Sequence, residues 1–179
     1  IIMEKFEEYL VRRIDKKKNI VGLLEYPSYV EIETVNACNA RCPMCTINDW
    51  NRNYPTMKDD VFNKISEDLI ENKKYLKRVT LHRDGEPLLD KKLPSRIAKF
   101  RDNGMNNTSI ATNVSLLNEK KSRELLEAGI GSIMMSVDSL KKEVFEKIRV
   151  RLNFEEVRDN AIKFFELRKK INPKCQVWI

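Results

Sequence analysis

Residues 38–45 read Cys-Asn-Ala-Arg-Cys-Pro-Met-Cys, so three of the four cysteines in this chain lie within eight residues. They follow a segment, residues 29–36, that we predict to be a β-strand. Thiolates bind soft metals and iron–sulfur clusters, and three thiolates on one short loop can bind three irons of a cubane and leave the fourth iron open. The stretch therefore predicts a metal centre at the carboxyl end of a strand, where parallel α/β folds place their chemistry.

Downstream of this loop, short strands alternate with amphipathic helices. Strands are predicted at residues 29–36, 78–83, 108–113 and 132–137, with a fifth opening at Cys175. Helices are predicted to begin at Thr56 (a capping box with Asp59, followed by Val61, Phe62, Ile65 and Leu69 on one face), near Pro94, and at Asn118, Ser139 and Asn153. This alternation indicates an α/β fold with a parallel sheet and right-handed crossovers.

Polar residues recur on one face of the predicted strands: Glu31 and Glu33; Thr80, His82 and Asp84; Ser109, Ala111 and Asn113; Met134, Ser136 and Asp138. A doubly wound sheet buries two apolar faces, so this pattern favours a (β/α) barrel with a wet lumen. A full barrel takes about 250 residues, whereas residues 29–179 leave room for about five units. We therefore expect residues 1–28 to form an N-terminal helix and linker, and residues 29–179 to form an incomplete, partial barrel belonging to a longer protein or needing a partner.

Other interpretations of the cysteines stay open at this point. A zinc-binding interaction module without catalysis would need a fourth ligand, which His82 or Cys175 could supply, although zinc modules usually pair two cysteine knuckles. Cys42 and Cys45 alone have the spacing of a thioredoxin-like redox pair, but that interpretation leaves Cys38 unexplained. Cys175 is expected to be a buried small hydrophobe.

The net charge of +7 raises the alternative of a basic RNA-binding or RNA-modifying protein. The lysines of this chain are spread along its length, apart from one basic cluster within residues 12–18. A nucleic-acid partner is therefore not favoured. No apolar run reaches the roughly 20 residues that a membrane span requires, and charges at Glu4 and Lys5 leave no secretory apolar region. We expect a cytoplasmic protein without a membrane partner.

The C-x3-C-x2-C spacing resembles the signature of the radical S-adenosylmethionine (radical SAM) enzymes, and the chain looks most similar to members that carry a SPASM or twitch extension. Three further segments resemble family motifs. They are Asp84-Gly85-Glu86-Pro87 (the G-E-P motif), Thr112-Asn113-Val114 (the T-N-G segment, with valine for glycine) and Ser136-Val137-Asp138 (the S-x-D segment).

The resemblance implies that Cys38, Cys42 and Cys45 bind a [4Fe–4S] cluster. It implies that S-adenosylmethionine is bound by Met44, Gly85, Glu86, Pro87, Thr112, Asn113, Ser136 and Asp138. The implied activity is reductive cleavage of this cofactor to a 5′-deoxyadenosyl radical that abstracts hydrogen from a substrate. That substrate would be an unidentified small molecule or a peptide, and the electron would come from a flavodoxin or ferredoxin type of reductant.

Overall fold

The computed structural model describes residues 26–49 and 55–179. The strands are β1 (Tyr29–Glu31), β2 (Arg78–Thr80), β3 (Thr108–Thr112), β4 (Ser132–Met135) and β5 (Gln176–Trp178). The helices are α1 (Asp59–Glu71), α2 (Leu93–Asp102), α3 (Glu119–Ala128), α4 (Lys142–Ile148) and α5 (Phe154–Ile171), with short 3₁₀ helices at Thr46–Asp49, Lys73–Tyr75 and Pro87–Leu89. The helix predicted near the N-terminus lies outside the described residues.

The five strands form one parallel sheet in the order β1-β2-β3-β4-β5. Each strand pairs with the next one in sequence, and a doubly wound sheet would instead reverse its order at a switch point. The predicted partial (β/α) barrel of about five strands is therefore confirmed. Because all strands run in the same direction, the loops that follow them converge at one end of the sheet.

The two faces of the sheet differ as their alternation predicts. One face packs under the helices and contributes Val79, Leu81, Ile110, Ile133 and Met135 to the core. On the other face the Thr80 and Ser109 hydroxyls lie 2.8 Å apart, and the paired Met134 and Trp178 are 51% and 61% exposed. The open face corresponds to the lumen of a barrel. Within the described ranges, no helix is long and apolar enough to span a bilayer.

Local capping signals at two helices are confirmed. The Asn118 side chain accepts a hydrogen bond from Lys121 N (3.0 Å), and the Asn153 side chain accepts one from Glu156 N (2.9 Å). Gly129 ends α3 with φ = +85°, a left-handed conformation that glycine adopts without a Cβ penalty.

Two other predicted helix starts are wrong. Thr56 does not cap α1, which begins after Lys58 without a side-chain cap. Thr56 instead forms a bridge with Val35, because Met57 N donates to the Thr34 carbonyl (2.9 Å) and holds this segment extended. The second wrong helix start is Ser139, which was predicted to cap α4.

Helix α4 begins at Lys142, and Ser139 is not its cap. The Ser139 hydroxyl accepts from Lys141 N (3.1 Å) in the turn before the helix. On α1, Phe62 and Leu69 are buried as expected, whereas Val61 is exposed.

Candidate metal and cofactor site

A cavity of about 340 Å³ opens at the carboxyl ends of β1 to β4. Among the residues predicted to bind the cluster or cofactor, it is lined by Cys38, Cys42, Met44, Cys45, Gly85, Glu86, Thr112, Asn113 and Ser136. Pro87 and Asp138 are not part of the lining. The fold thus brings together side chains from four separate loops, as the convergence of parallel strands requires.

The three cysteines of the loop are free thiols, with Cys42 buried and the other two half-buried. The loop turns tightly, since Cys45 N donates to the Cys42 carbonyl (3.0 Å) and Ala40 N donates to Cys38 Sγ (3.4 Å). Burial raises the pKa of the Cys38 thiol, although the Ala40 hydrogen bond opposes that shift.

Within residues 26–49 and 55–179, no three His, Cys, Asp or Glu side chains are arranged to hold a single metal ion. In a cubane cluster each cysteine binds a different iron, so the thiols need to line one cavity and need not meet at one point. The arrangement of Cys38, Cys42 and Cys45 fits that requirement.

The loop after β2 is fastened to the cysteine loop through its main chain. Glu86 N donates to the Ala37 carbonyl (2.8 Å). At the preceding residue, a Cβ on Gly85 would lie 2.0 Å from the Val35 carbonyl oxygen, so only glycine fits there. This close approach of two main-chain segments explains why the first position of the G-E-P motif is glycine in this chain.

The Glu86 carboxylate, 3% exposed, joins the loops after β2 and β3. It accepts hydrogen bonds from Leu88 N (3.1 Å), Thr112 Oγ1 (2.7 Å) and Asn113 N (2.8 Å). Burial raises the pKa of this carboxyl, and the three donors oppose that rise. Its side chain is therefore committed to holding the loops in place.

Asn113 links the loop after β3 to the cysteine loop. Its Nδ2 donates to Asn39 Oδ1 (2.9 Å) and lies 3.9 Å from Cys38 Sγ. Its Oδ1 accepts from the Ser115 main chain (3.0 Å) and hydroxyl (2.7 Å), and Asn39 also donates to that hydroxyl (2.8 Å). Asn39 was not among the predicted site residues, although it lies within the cysteine loop.

Arg149, directly after α4, is a second residue that sequence reasoning missed. Its Nη1 lies 3.7 Å from Cys42 Sγ, and both residues line the cavity. Its Nε and Nη2 donate to the Asp138 carboxylate at 2.5 Å and 3.1 Å. Asp138 thus contacts the site through Arg149, and its predicted contact with the cofactor stays a prediction.

His82 and Cys175 were the open candidates for a fourth ligand. His82 lines the cavity, and its Nδ1 accepts a hydrogen bond from Ala111 N (3.2 Å), a contact that requires this nitrogen to carry no proton. Cys175 precedes β5, at the opposite end of the sheet from the cysteine loop, beside Gly131 and Asn106. Its distance from the cavity excludes it as a ligand, and burial raises its pKa to about 11.

The fold resembles those of solved proteins that were crystallised with S-adenosylmethionine (AdoMet). SuiB from Streptococcus suis, bound to S-adenosylmethionine, superposes with a TM-score of 0.67 over 99% of this chain and 44% of that chain, at 16% identity. BtrN in complex with AdoMet and 2-DOIA gives a TM-score of 0.56 over 73% of this chain and 54% of that chain, at 24% identity. At such identities the likeness concerns the fold alone.

Sequence comparison extends the likeness. A probable GTP 3′,8-cyclase of Methanococcus maripaludis is 32% identical over 131 residues, which make up 73% of this chain and 43% of that protein. The GTP 3′,8-cyclase of Chlorobaculum tepidum is 33% identical over 138 residues, or 72% of this chain and 38% of that protein. The chain therefore spans less than half the length of these relatives.

The sequence profile of the Radical SAM superfamily matches residues 32–173, which include the whole cavity lining. The profile, the partial barrel and the cysteine loop at the carboxyl end of β1 agree with one another. This chain belongs to the radical SAM superfamily.

Proposed function

We propose that this chain is the catalytic domain of a radical SAM enzyme, with a [4Fe–4S] cluster on Cys38, Cys42 and Cys45 and S-adenosylmethionine beside it. When bound, these groups supply the one-electron reductive cleavage that yields methionine and a 5′-deoxyadenosyl radical for hydrogen abstraction. The observation that carries the proposal is the single cavity in which the three free thiols meet the loops that follow β2, β3 and β4.

The chain's own residues have distinct parts in this proposal. The cysteines bind the cluster, and Met44, Thr112 and Ser136 form cavity walls against which the cofactor can lie. Gly85 lets the main chain approach closely, while the side chains of Glu86 and Asn113 hold the loops in register. Pro87 is buried at the start of a 3₁₀ helix and contributes by fixing the loop.

The substrate would lie against the open face of the sheet, beside Met134 and His82. A peptide is one candidate, because the fold matches that of SuiB bound to the precursor peptide SuiA (TM-score 0.66, 18% identity, 90% of this chain and 36% of that chain). A nucleotide is the second candidate, because the relatives with about one-third identity are GTP 3′,8-cyclases. An oxidoreductase reaction in the cytoplasm, with a flavodoxin or ferredoxin as reductant, completes the proposal.

Anaerobic reconstitution with iron and sulfide tests this function. We expect equal amounts of bound iron and sulfide, and release of 5′-deoxyadenosine and methionine after reduction in the presence of S-adenosylmethionine. Cys42→Ala should lose the cleavage activity, whereas Cys175→Ala, at the opposite end of the sheet, should retain it. A protein that binds one zinc ion and no sulfide, or a Cys42→Ala variant that still cleaves the cofactor, would refute the proposal.

Adding GTP or a peptide to the reduced, cofactor-bound protein separates the two substrate candidates. Whichever of the two is the substrate should increase the amount of 5′-deoxyadenosine formed and should itself be consumed. Binding of RNA with a steep salt dependence, without any cleavage, would instead favour the basic RNA-binding alternative.

A further inference from the structure

Arg149 is held in a fixed orientation at the edge of the cavity. Its side chain is only 18% exposed, and two of its nitrogens are bound by the Asp138 carboxylate. The remaining terminal nitrogen, Nη1, is directed at Cys42 Sγ at a distance of 3.7 Å. A planar guanidinium can satisfy a carboxylate and a third group at once, because its five donors lie in a fixed fork.

The main chain around Arg149 is fastened to the same loop. Arg41 N donates to the Val150 carbonyl (2.9 Å), which joins the cysteine loop to the residue after Arg149. Leu152 N donates to the Arg149 carbonyl (3.0 Å), and Arg151 adopts φ = +76° to complete the turn. A positive φ is energetically unfavourable for a residue other than glycine. The contacts around this turn must therefore hold Arg151 in that conformation.

From this geometry we propose that Arg149 is a positioning residue for the iron–sulfur cluster: it donates a hydrogen bond to the Cys42 thiolate and raises the reduction potential of the cluster. The inference rests on the proposed function. Reduction adds negative charge, and a charged donor at a ligand sulfur stabilises the more negative state. Asp138 does not contact the sulfur, and it acts by fixing the direction of the guanidinium.

A merely structural role would be a salt bridge that ties α4 to the end of β4. Removing such a bridge would lower the stability of the fold without altering the electronic environment of Cys42. The midpoint potential of the bound cluster therefore separates the two roles, because it depends on the field at the sulfur.

The test compares the reconstituted native protein with Arg149→Gln, Arg149→Lys and Asp138→Asn, using iron and sulfide content and a redox titration followed by visible absorption and electron paramagnetic resonance. Arg149→Gln should shift the reduction equilibrium about tenfold toward the oxidised cluster, which is about 59 mV for one electron. Asp138→Asn removes an anion near the cluster as well as the anchor of the guanidinium, and these two effects oppose each other, so it should shift the potential less than Arg149→Gln does. Arg158→Gln, which removes an exposed pair with Asp159, should leave the potential unchanged.

Arg149→Lys keeps the charge but loses the fork, so it should load the cluster and show part of the shift even if Arg149→Gln fails to fold. A fully loaded Arg149→Gln or Arg149→Lys protein with the native potential would overturn the role of Arg149 and leave the proposed function standing. A native protein that binds no iron–sulfur cluster would overturn both.

Discussion

The main chain at Gly85 lies so close to the carbonyl oxygen of Val35 that a Cβ would approach it to 2.0 Å. Three atoms of the Val35 to Ala37 backbone surround this point, and none of them belongs to a flexible side chain. The contact fixes how near the G-E-P loop can come to the cysteine loop. Any side chain at Gly85 must push the two loops apart.

Gly85→Ala should therefore destabilise the apoprotein by about 3 kcal/mol, at the upper end of the range for overpacking, and reduce cluster loading. Gly104→Ala is the matched control, because the nearest neighbour there is the end of the Lys73 side chain at 3.7 Å. It should cost about 1 kcal/mol for its left-handed φ of +80°. Equal urea midpoints for the two variants would contradict the steric argument.

His82 is the only histidine of the chain, so its titration can be followed without assignment. Burial lowers its pKa below the usual value near 6.5, and the carboxylates of Glu31, Asp84 and Glu33 oppose this shift. The unfolded chain therefore binds the proton more tightly than the folded chain. The contribution of neutral His82 to the free energy of unfolding is fully present above about pH 6.5, and it is lost as the pH falls through the folded pKa.

A proton NMR titration of the folded protein should give a midpoint below that of a free histidine. The free energy of unfolding of the native protein, relative to His82→Gln, should decrease between about pH 7 and pH 5. A pH-independent difference between the two proteins would show that the histidine is not held neutral.

Asp90 and Arg96 form a buried ion pair behind the G-E-P loop, with side chains 1% and 3% exposed and 3.2 Å between Asp90 Oδ2 and Arg96 Nη1. These two atoms do not meet hydrogen-bond geometry, so their attraction is mainly electrostatic. Asp90→Ala leaves the buried Arg96 guanidinium with only the exposed Asp59 carboxylate as an ionic partner (3.5 Å), so it should cost about 3 kcal/mol, the lower end for breaking a buried pair.

Asp159→Ala is the control, because Asp159 pairs with Arg158 on an exposed helix surface and should cost at most about 1 kcal/mol. Chemical denaturation of the apoproteins measures both values. A loss at Asp90 as small as that at Asp159 would mean that water or a shifted Arg96 compensates the pair.

Asn113→Asp changes the donor beside Cys38 into an anionic acceptor. The new carboxylate would repel the Asn39 carbonyl and the thiolate, while it could still accept from Ser115. We expect iron loss to a chelator to become about tenfold faster or more, as for other changes next to metal ligands. Asn118→Asp, which preserves the cap of α3, should retain the native rate.

Val114 is fully buried and adopts φ = +68°, a conformation that is rare for a β-branched residue. Compared with alanine, glycine loses one more buried carbon, about 0.8 kcal/mol, but relieves about 1–2 kcal/mol of strain that alanine keeps. Val114→Gly should therefore be more stable than Val114→Ala. At Val157, buried in α5, the order should reverse, because glycine is unfavourable within a helix.

Local signals in the sequence predicted the parts of the structure that depend on local chemistry. Asn118 and Asn153 cap helices by accepting from the main-chain nitrogens of residues three positions later. The alternating polar face predicted the open side of the sheet, because alternation follows from strand geometry. The cluster of three cysteines needed no tertiary information to be recognised.

Thr56 and Arg149 were misjudged or missed because of contacts that are distant along the chain, whereas the Ser139 hydroxyl accepts from Lys141 N in a local turn. Thr56 has the residue type of a helix cap, but pairing with Val35 prevails over it. Arg149 contacts Cys42 although the two residues are 107 positions apart in the sequence, and no local sequence motif at either residue indicates the contact. Asp138 has a motif that predicts a ligand contact, yet its carboxylate is bound to Arg149 in the folded chain.

The position of Cys175 gives the protein a built-in reporter. The Cys175 thiol is buried in the core at the end of the sheet opposite the cysteine loop. A thiol-specific label applied to the folded protein should therefore react only with cysteines of that loop. Labelling should therefore rise in step with oxidative loss of iron, and a late additional label would mark global unfolding. One mass spectrum could thus follow damage at the metal centre separately from collapse of the fold.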